Sequence, residues 1–201
     1  MLDLKEQGVL PKLIFSMLVL GGMIAWQGCE KKDIQSAAMA GALNPQRDFT
    51  LHDQVGQVFH LKDHRGEIVL LFFGYTSCPD ICPATFSKLA RVYALLGPLG
   101  QKVLTVLVTI DPQRDTPQKL RDYLQYFDIN AVGLTGTKEE IDAVVDRYKA
   151  TYEKVVTGWS ALGYMFDHTD YIYLIDTHGN TTHIFHPDDK AQVMAQMIKG
   201  L

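Results

Sequence analysis

The chain has 201 residues and a net charge of -4, from 19 Lys and Arg against 23 Asp and Glu, with 47% apolar residues. A mildly acidic chain without a Lys/Arg-dense stripe argues against a nucleic-acid partner. The proportions are those of an ordinary globular protein, and they leave one domain of roughly 150–170 residues, enough for a single well-buried core.

Leu13 to Trp26 is an apolar run without charge, LIFSMLVLGGMIAW. It is shorter than the ~20 residues that span a bilayer and suits the hydrophobic stretch of a secretory signal. Gly28 and Cys29 follow, then the charged Glu30, Lys31 and Lys32. A small residue before a cysteine at that place resembles a bacterial lipobox, with Cys29 becoming the lipidated first residue. Trp26 stands where leucine is usual, and Asp3 and Glu6 balance Lys5 and Lys12. Residues 1–32 are therefore read as a lipoprotein signal or an uncleaved membrane anchor, and either puts the domain outside the cytoplasmic membrane. An ordinary signal peptide or a cytosolic chain is the remaining alternative. Residues 33–47, small and polar, read as a tether, and 48–201 as the folded domain.

Within the domain, Phe49 to His52 and Val58 to Leu61 flank a turn at Gly56 and predict a β-hairpin. Ile68 to Phe73 is a continuous apolar run ending at Gly74, the pattern of a central strand buried on both faces. Tyr75 to Asp80 is a loop, and a helix is predicted from Ile81 to Leu96, closed by Gly97 and Pro98. Val103 to Ile110 is a second fully apolar strand. Thr116 and Pro117 open another helix, and Thr137 to Glu140 form a capping box for a helix reaching about Ala150. Tyr171 to Asp176 is a strand that turns at His178–Asn180 into Thr182–Phe185, and a helix closes the chain over Pro187–Lys199. The order is β-hairpin, β, α, β, α, short β, α, β-hairpin, α. It predicts an α/β fold with a central, mostly parallel sheet flanked by helices.

The chemistry concentrates in Gly74-Tyr-Thr-Ser-Cys78-Pro-Asp-Ile-Cys82-Pro. A cysteine pair between a buried strand and the next helix is where a thioredoxin-like fold carries its reactive thiols. Backbone N–H groups at a helix start favour anions, so both thiols are expected to have lowered pKa values. In an oxidising compartment the plain expectation for two cysteines is a structural disulfide. Three intervening residues depart from the Cys-x-x-Cys of dithiol oxidoreductases, and a four-residue offset lets both sulfurs face one soft metal; a disulfide still spans the same gap. His168, in Asp167-His-Thr169 before the late strand, supplies a third ligand. It stands where thioredoxin-like folds usually carry a cis-proline beside the active-site sulfur. Two thiolates suit Cu(I), and an added imidazole suits copper in either oxidation state. Three ligands are one short of a closed zinc site. His52, His60, His64, His178, His183 and His186 are read as non-ligands. Asp111 is either a turn and cap residue or a polar neighbour of the site, and Asp80 is either a plain loop residue or one that tunes the thiols or meets a partner.

Taken together, Phe72-Phe-Gly-Tyr-Thr-Ser-Cys78-Pro-Asp-Ile-Cys82-Pro, Ile110-Asp-Pro-Gln-Arg-Asp-Thr-Pro117 and Asp167-His168-Thr169 resemble the Sco/SenC family of copper chaperones, over about Asp48 to Lys199. The resemblance implies a thioredoxin-like domain binding one copper through Cys78, Cys82 and His168, with Asp111 in the family's aspartate-containing loop. It also implies delivery to the dinuclear copper site of cytochrome c oxidase. The expected partners are the oxidase's copper-bearing subunit and a copper donor chaperone, with the membrane held by the N-terminus of a bacterial protein facing the periplasm. The alternative is a thiol–disulfide reductase, in which Cys78 and Cys82 form a redox-active pair that keeps the partner's cysteines reduced.

Overall fold

The computed structural model describes residues 47–156, 158 and 163–201. The expected leader, Cys29 and all but the last residue of the tether lie outside the described residues. Among the described residues no helix is long and apolar enough to cross a membrane.

Strands β1 (Thr50–Asp53) and β2 (Val58–His60) form the expected hairpin, Leu51 opposite Phe59. Gly56 supplies its turn at φ +84°, a conformation that a side chain disfavours. β3 (Ile68–Gly74) and β4 (Val103–Thr109) are buried at every position and pair in parallel from Ile68–Val103 to Gly74–Thr109. β4 is not wholly apolar, since it carries Thr105 and Thr109. Burial is tolerated there because both hydroxyls are paired, Thr105 with Tyr93 at 3.1 Å and Thr109 with Asp115 at 2.6 Å.

Helix α1 (Ile81–Leu96) follows β3, and α2 (Pro117–Leu124) follows β4. The side chain of Thr116 accepts the Lys119 N–H at 3.3 Å to cap α2. β5 (Ala131–Thr135) is the expected short strand, and α3 (Lys138–Arg147) opens with both hydrogen bonds of the Thr137/Glu140 capping box. β8 (Ile172–Ile175) and β9 (Thr181–Phe185) make the late hairpin. The closing helix α4 begins only at Ala191 and runs to Lys199. Pro187 to Asp189 forms a turn instead, tied by the His186 N–H to Asp189 Oδ2 at 2.7 Å.

The seven main strands lie in the order β2-β1-β5-β4-β3-β8-β9, parallel through β5-β4-β3 and antiparallel at both flanks. Alternation along β3 serves both faces. The Phe72 ring meets Phe86 of α1 at 6.1 Å, while Phe73 turns the other way, to Tyr148 beyond α3 and to Tyr173, each at 5.9 Å.

One element was not expected. Residues from 151 to 168 carry no predicted strand, yet β6 (Tyr152–Val156) and β7 (Tyr164–His168) pair antiparallel as a separate two-stranded sheet, hydrogen-bonded to none of the main strands. β6 is exposed along almost its whole length, so the apolar alternation that announces a strand is absent. His168 therefore ends a strand and does not sit in a loop.

Candidate metal centre

Gly74 ends the central strand, and the chain then turns through Tyr75–Asp80 into α1. The Cys78 N–H donates to the Tyr75 carbonyl at 3.3 Å, closing the turn. Cys78 is half-buried and Cys82, in the first turn of α1, is fully buried; neither is in a disulfide. The Cys82 N–H points at Cys78 Sγ at 3.5 Å. The expectation of two lowered thiol pKa values holds for one of them. Cys78 is lowered to about 3, first by a hydrogen bond from the Cys82 thiol, which outweighs burial, and then by His168 and the backbone N–H groups of Cys82 and Asp80. Cys82 is pushed up, because its proton is held by the neighbouring Cys78 sulfur and because it lies buried. Two thiolates in contact without a metal would repel in a low-dielectric site, so the pair shares one proton and Cys82 keeps it. Reduced protein treated with iodoacetamide at about pH 5 is accordingly expected to be modified at Cys78 and not at Cys82, as read by peptide mass mapping. Equal labelling of both would contradict the asymmetry.

His168 arrives from the far end of the hairpin. Its Nε2 lies 3.7 Å from Cys82 Sγ, and its Nδ1 is 2.9 Å from the Thr169 carbonyl oxygen. A carbonyl only accepts, so Nδ1 carries a proton, and in the neutral ring Nε2 presents its lone pair to the sulfurs. The ring is held edge-on between Phe72 at 6.1 Å and Tyr75 at 5.9 Å. Burial lowers the imidazole's pKa, but the Cys78 sulfur and the Thr169 carbonyl outweigh it and leave the value raised. The three donor atoms of Cys78, Cys82 and His168 lie within 4.8 Å of one another, the only such group among the described residues. Three donors around one first-row ion with bonds of ~2.0–2.3 Å stand ~3.5–4.0 Å apart. The cluster therefore closes onto a single ion with shifts on the order of 1 Å. None of the other six histidines joins it.

Three supporting residues escaped the sequence reading. Asp115, buried behind the loop, accepts from the Thr76 N–H at 2.9 Å, the Thr76 hydroxyl at 2.5 Å and the Thr109 hydroxyl at 2.6 Å. It ties the cysteine loop to the end of β4, and its pKa is raised by burial. Read in sequence, it was one polar residue of a helix-capping loop. Tyr75 accepts the Phe166 N–H on its hydroxyl at 3.2 Å, joining the loop to β7. Gly74 matters by what it lacks: a Cβ there would lie 2.7 Å from Phe72 Cε1 and 2.9 Å from Cys82 Sγ, so only glycine lets that sulfur approach the strand. Asp111 touches neither cysteine. Its backbone carbonyl accepts from Arg114 and Asp115, closing the turn, while its buried carboxylate meets Arg114 Nε and the Tyr164 hydroxyl. Asp80 is exposed, at the N-cap position of α1, without a side-chain cap bond.

With this geometry in view, the comparisons agree with one another. The SCO1/SenC family model matches residues 37–201. A SCO2-like protein of Rickettsia felis is 38% identical over 153 residues, covering 76% of this chain and 75% of its own length. Among solved structures, Bradyrhizobium japonicum ScoI with copper bound is 35% identical with a TM-score of 0.69, over 76% of this chain and 96% of that one. Arabidopsis thaliana ScoI with copper bound is 30% identical with a TM-score of 0.70, over 76% and 94%. The fold is the thioredoxin-like α/β class expected from the order of elements.

Proposed function

Because the chain belongs to the SCO1/SenC family, we propose that it is a copper metallochaperone that holds one copper ion between Cys78, Cys82 and His168. It delivers that ion to the dinuclear copper site of cytochrome c oxidase. Its N-terminal segment anchors it to the cytoplasmic membrane of a bacterium, with the domain facing the periplasm. There it receives copper from a donor chaperone and meets the oxidase's copper-bearing subunit. The observation that carries this reading is the convergence of two sulfurs and one correctly tautomerised imidazole nitrogen within 4.8 Å. Relatives solved with copper bound support the choice of metal, as does the donor set, since soft thiolates with one imidazole favour copper over the harder divalent ions. Cys78 is half-exposed, so a partner's thiols can reach the ion and exchange ligands without releasing it to water.

Titrating reduced protein with copper tests the reading. One equivalent is expected to bind. Because Cys82 starts protonated and the His168 imidazole holds its second proton to higher pH than usual, binding should release one to two protons, and the apparent affinity should rise at least ~10-fold per pH unit through the neutral range. Absence of stoichiometric binding would sink the proposal. Oxidising the pair to a disulfide should abolish uptake.

A second reading has its own support. A half-exposed thiolate backed by a buried, protonated partner thiol is also the arrangement of a thiol–disulfide reductase. That activity needs Cys78 and Cys82 and is indifferent to His168. Disulfide reduction retained at full rate in His168→Ala, with weak copper binding equal in both proteins, would favour it.

A further inference from the structure

The hairpin that carries His168 is not part of the main sheet, and an isolated two-stranded ribbon is only marginally stable in water. Something must therefore fix β7 against the rest of the domain. Side chains of β7 alternate, so Tyr164, Phe166 and His168 share one face, and each has its own anchor. His168 has the sulfurs and the Thr169 carbonyl. Phe166 has Tyr75, through its backbone N–H and a ring contact of 5.4 Å. Tyr164, the first residue of the strand, has the most elaborate one.

The Tyr164 hydroxyl donates to Asp111 Oδ1 at 2.9 Å. Asp111 also binds Arg114 Nε, and Arg114 Nη1 donates to the Tyr164 carbonyl at 3.0 Å. The Arg114 guanidinium lies 3.7 Å from the Tyr164 ring centroid, and the Lys154 ammonium, from the neighbouring strand, lies 3.6 Å from it. One phenol is thus held by a buried carboxylate at its hydroxyl and by two cations at its ring. Asp111 and Arg114 follow directly on β4, so the cluster pins the start of β7 to the rigid centre of the sheet. His168 lies four residues further on, ~13 Å along an extended strand, and its place is set at the other end of the same lever.

We propose that Tyr164, through Asp111 and Arg114, is a positioning residue for His168: it decides whether the imidazole stays within bonding reach of the two sulfurs. The inference rests on the copper-site reading above and adds a residue that touches no copper ligand. Loss of the latch lets the hairpin drift and leaves a two-sulfur site, which still suits Cu(I) but serves Cu(II) poorly.

The test uses full-length protein in detergent, as wild type, Tyr164→Ala, Tyr164→Phe, His168→Ala and the Tyr164→Ala/His168→Ala double variant. Each is titrated with Cu(I) and with Cu(II). Tyr164→Ala should bind Cu(II) ~10–100-fold more weakly, the range typical of groups that orient a metal ligand, with Cu(I) affinity unchanged. Tyr164→Phe, which keeps the ring contacts and loses only the bond to Asp111, should fall between. With His168 already absent, Tyr164→Ala should add nothing. Wild-type Cu(II) affinity in Tyr164→Ala, or an equal further loss in the double variant, overturns the proposal. Hydrogen exchange on copper-free protein separates the latch from the copper reading. In Tyr164→Ala the Phe166 and Thr169 amides should exchange faster while those of β3 and β4 keep their protection. Unchanged exchange at both overturns the latch even if no variant, wild type included, binds copper.

Discussion

Replacing His168 by alanine is expected to lower Cu(II) affinity by about 100-fold or more while leaving a site that still takes up Cu(I). The reasoning starts from the donor set. Cys78 and Cys82 alone supply two soft sulfurs, enough for the low coordination numbers that Cu(I) accepts, whereas Cu(II) prefers more ligands and nitrogen among them. The imidazole contributes with little reorganisation, because its Nδ1 proton is held on the Thr169 carbonyl at 2.9 Å and its ring is packed between Phe72 and Tyr75. Alanine leaves a void beside Cys82 that water can fill but that no other described histidine can reach. Optical titration with each oxidation state, wild type beside variant, reads the difference. Equal Cu(II) affinity in the two proteins would remove His168 from the site.

The largest effect on folding should come from Asp115→Ala, a loss of about 3 kcal/mol in the stability of the reduced, copper-free protein. One carboxylate accepts three hydrogen bonds there, from the Thr76 N–H, the Thr76 hydroxyl and the Thr109 hydroxyl. Each donor orphaned in a buried setting costs about 1–3 kcal/mol. The hydroxyls can rotate toward other partners, but the backbone N–H cannot, so the total stays well below the sum. Asp115→Asn keeps an accepting oxygen and should lose only about 1 kcal/mol, the ordinary worth of a weakened hydrogen bond. Urea unfolding measures both. Copper affinity should fall with Asp115→Ala as well, since Thr76 lies two residues before Cys78 and its release frees the loop. A stability change within about 0.5 kcal/mol, as for an ordinary surface substitution, would show that Asp115 does not brace the loop.

How much of this was legible beforehand follows from where the signals lie. β3 and β4 announce themselves because burial on both faces demands apolar runs, unbroken in β3 and interrupted in β4 only by two threonines, and α2 and α3 because Thr116 and Thr137 carry caps that act over three residues. The cysteine pair could be placed for the same reason: its position is a local fact, strand then helix. The β6–β7 hairpin could not. Its stability comes from contacts with Tyr75, Asp111 and Arg114, residues 50 or more positions away in several cases, and an exposed β6 leaves no apolar rhythm to read. The aromatic residues at 164 and 166 were the one available clue. The expected pair of lowered thiol pKa values failed in part because a helix start acts on each sulfur separately, whereas the proton shared between Cys78 and Cys82 depends on their mutual distance. Asp115 is hidden by its company, one of two acids in a turn, and only the fold brings Thr76 against it.

The unequal depth of the two sulfurs has a consequence for traffic. Cys82 and His168 are buried while Cys78 is half-exposed and lines a cavity with Pro79 and Ile81, so of the two sulfurs Cys78 is the one that faces outward. An approaching donor or acceptor meets Cys78 first, and the inner pair changes hands only afterwards. If the protein passes copper on as proposed, loading and unloading would both begin at Cys78, and a bulky residue beside Pro79 or Ile81 would obstruct both alike.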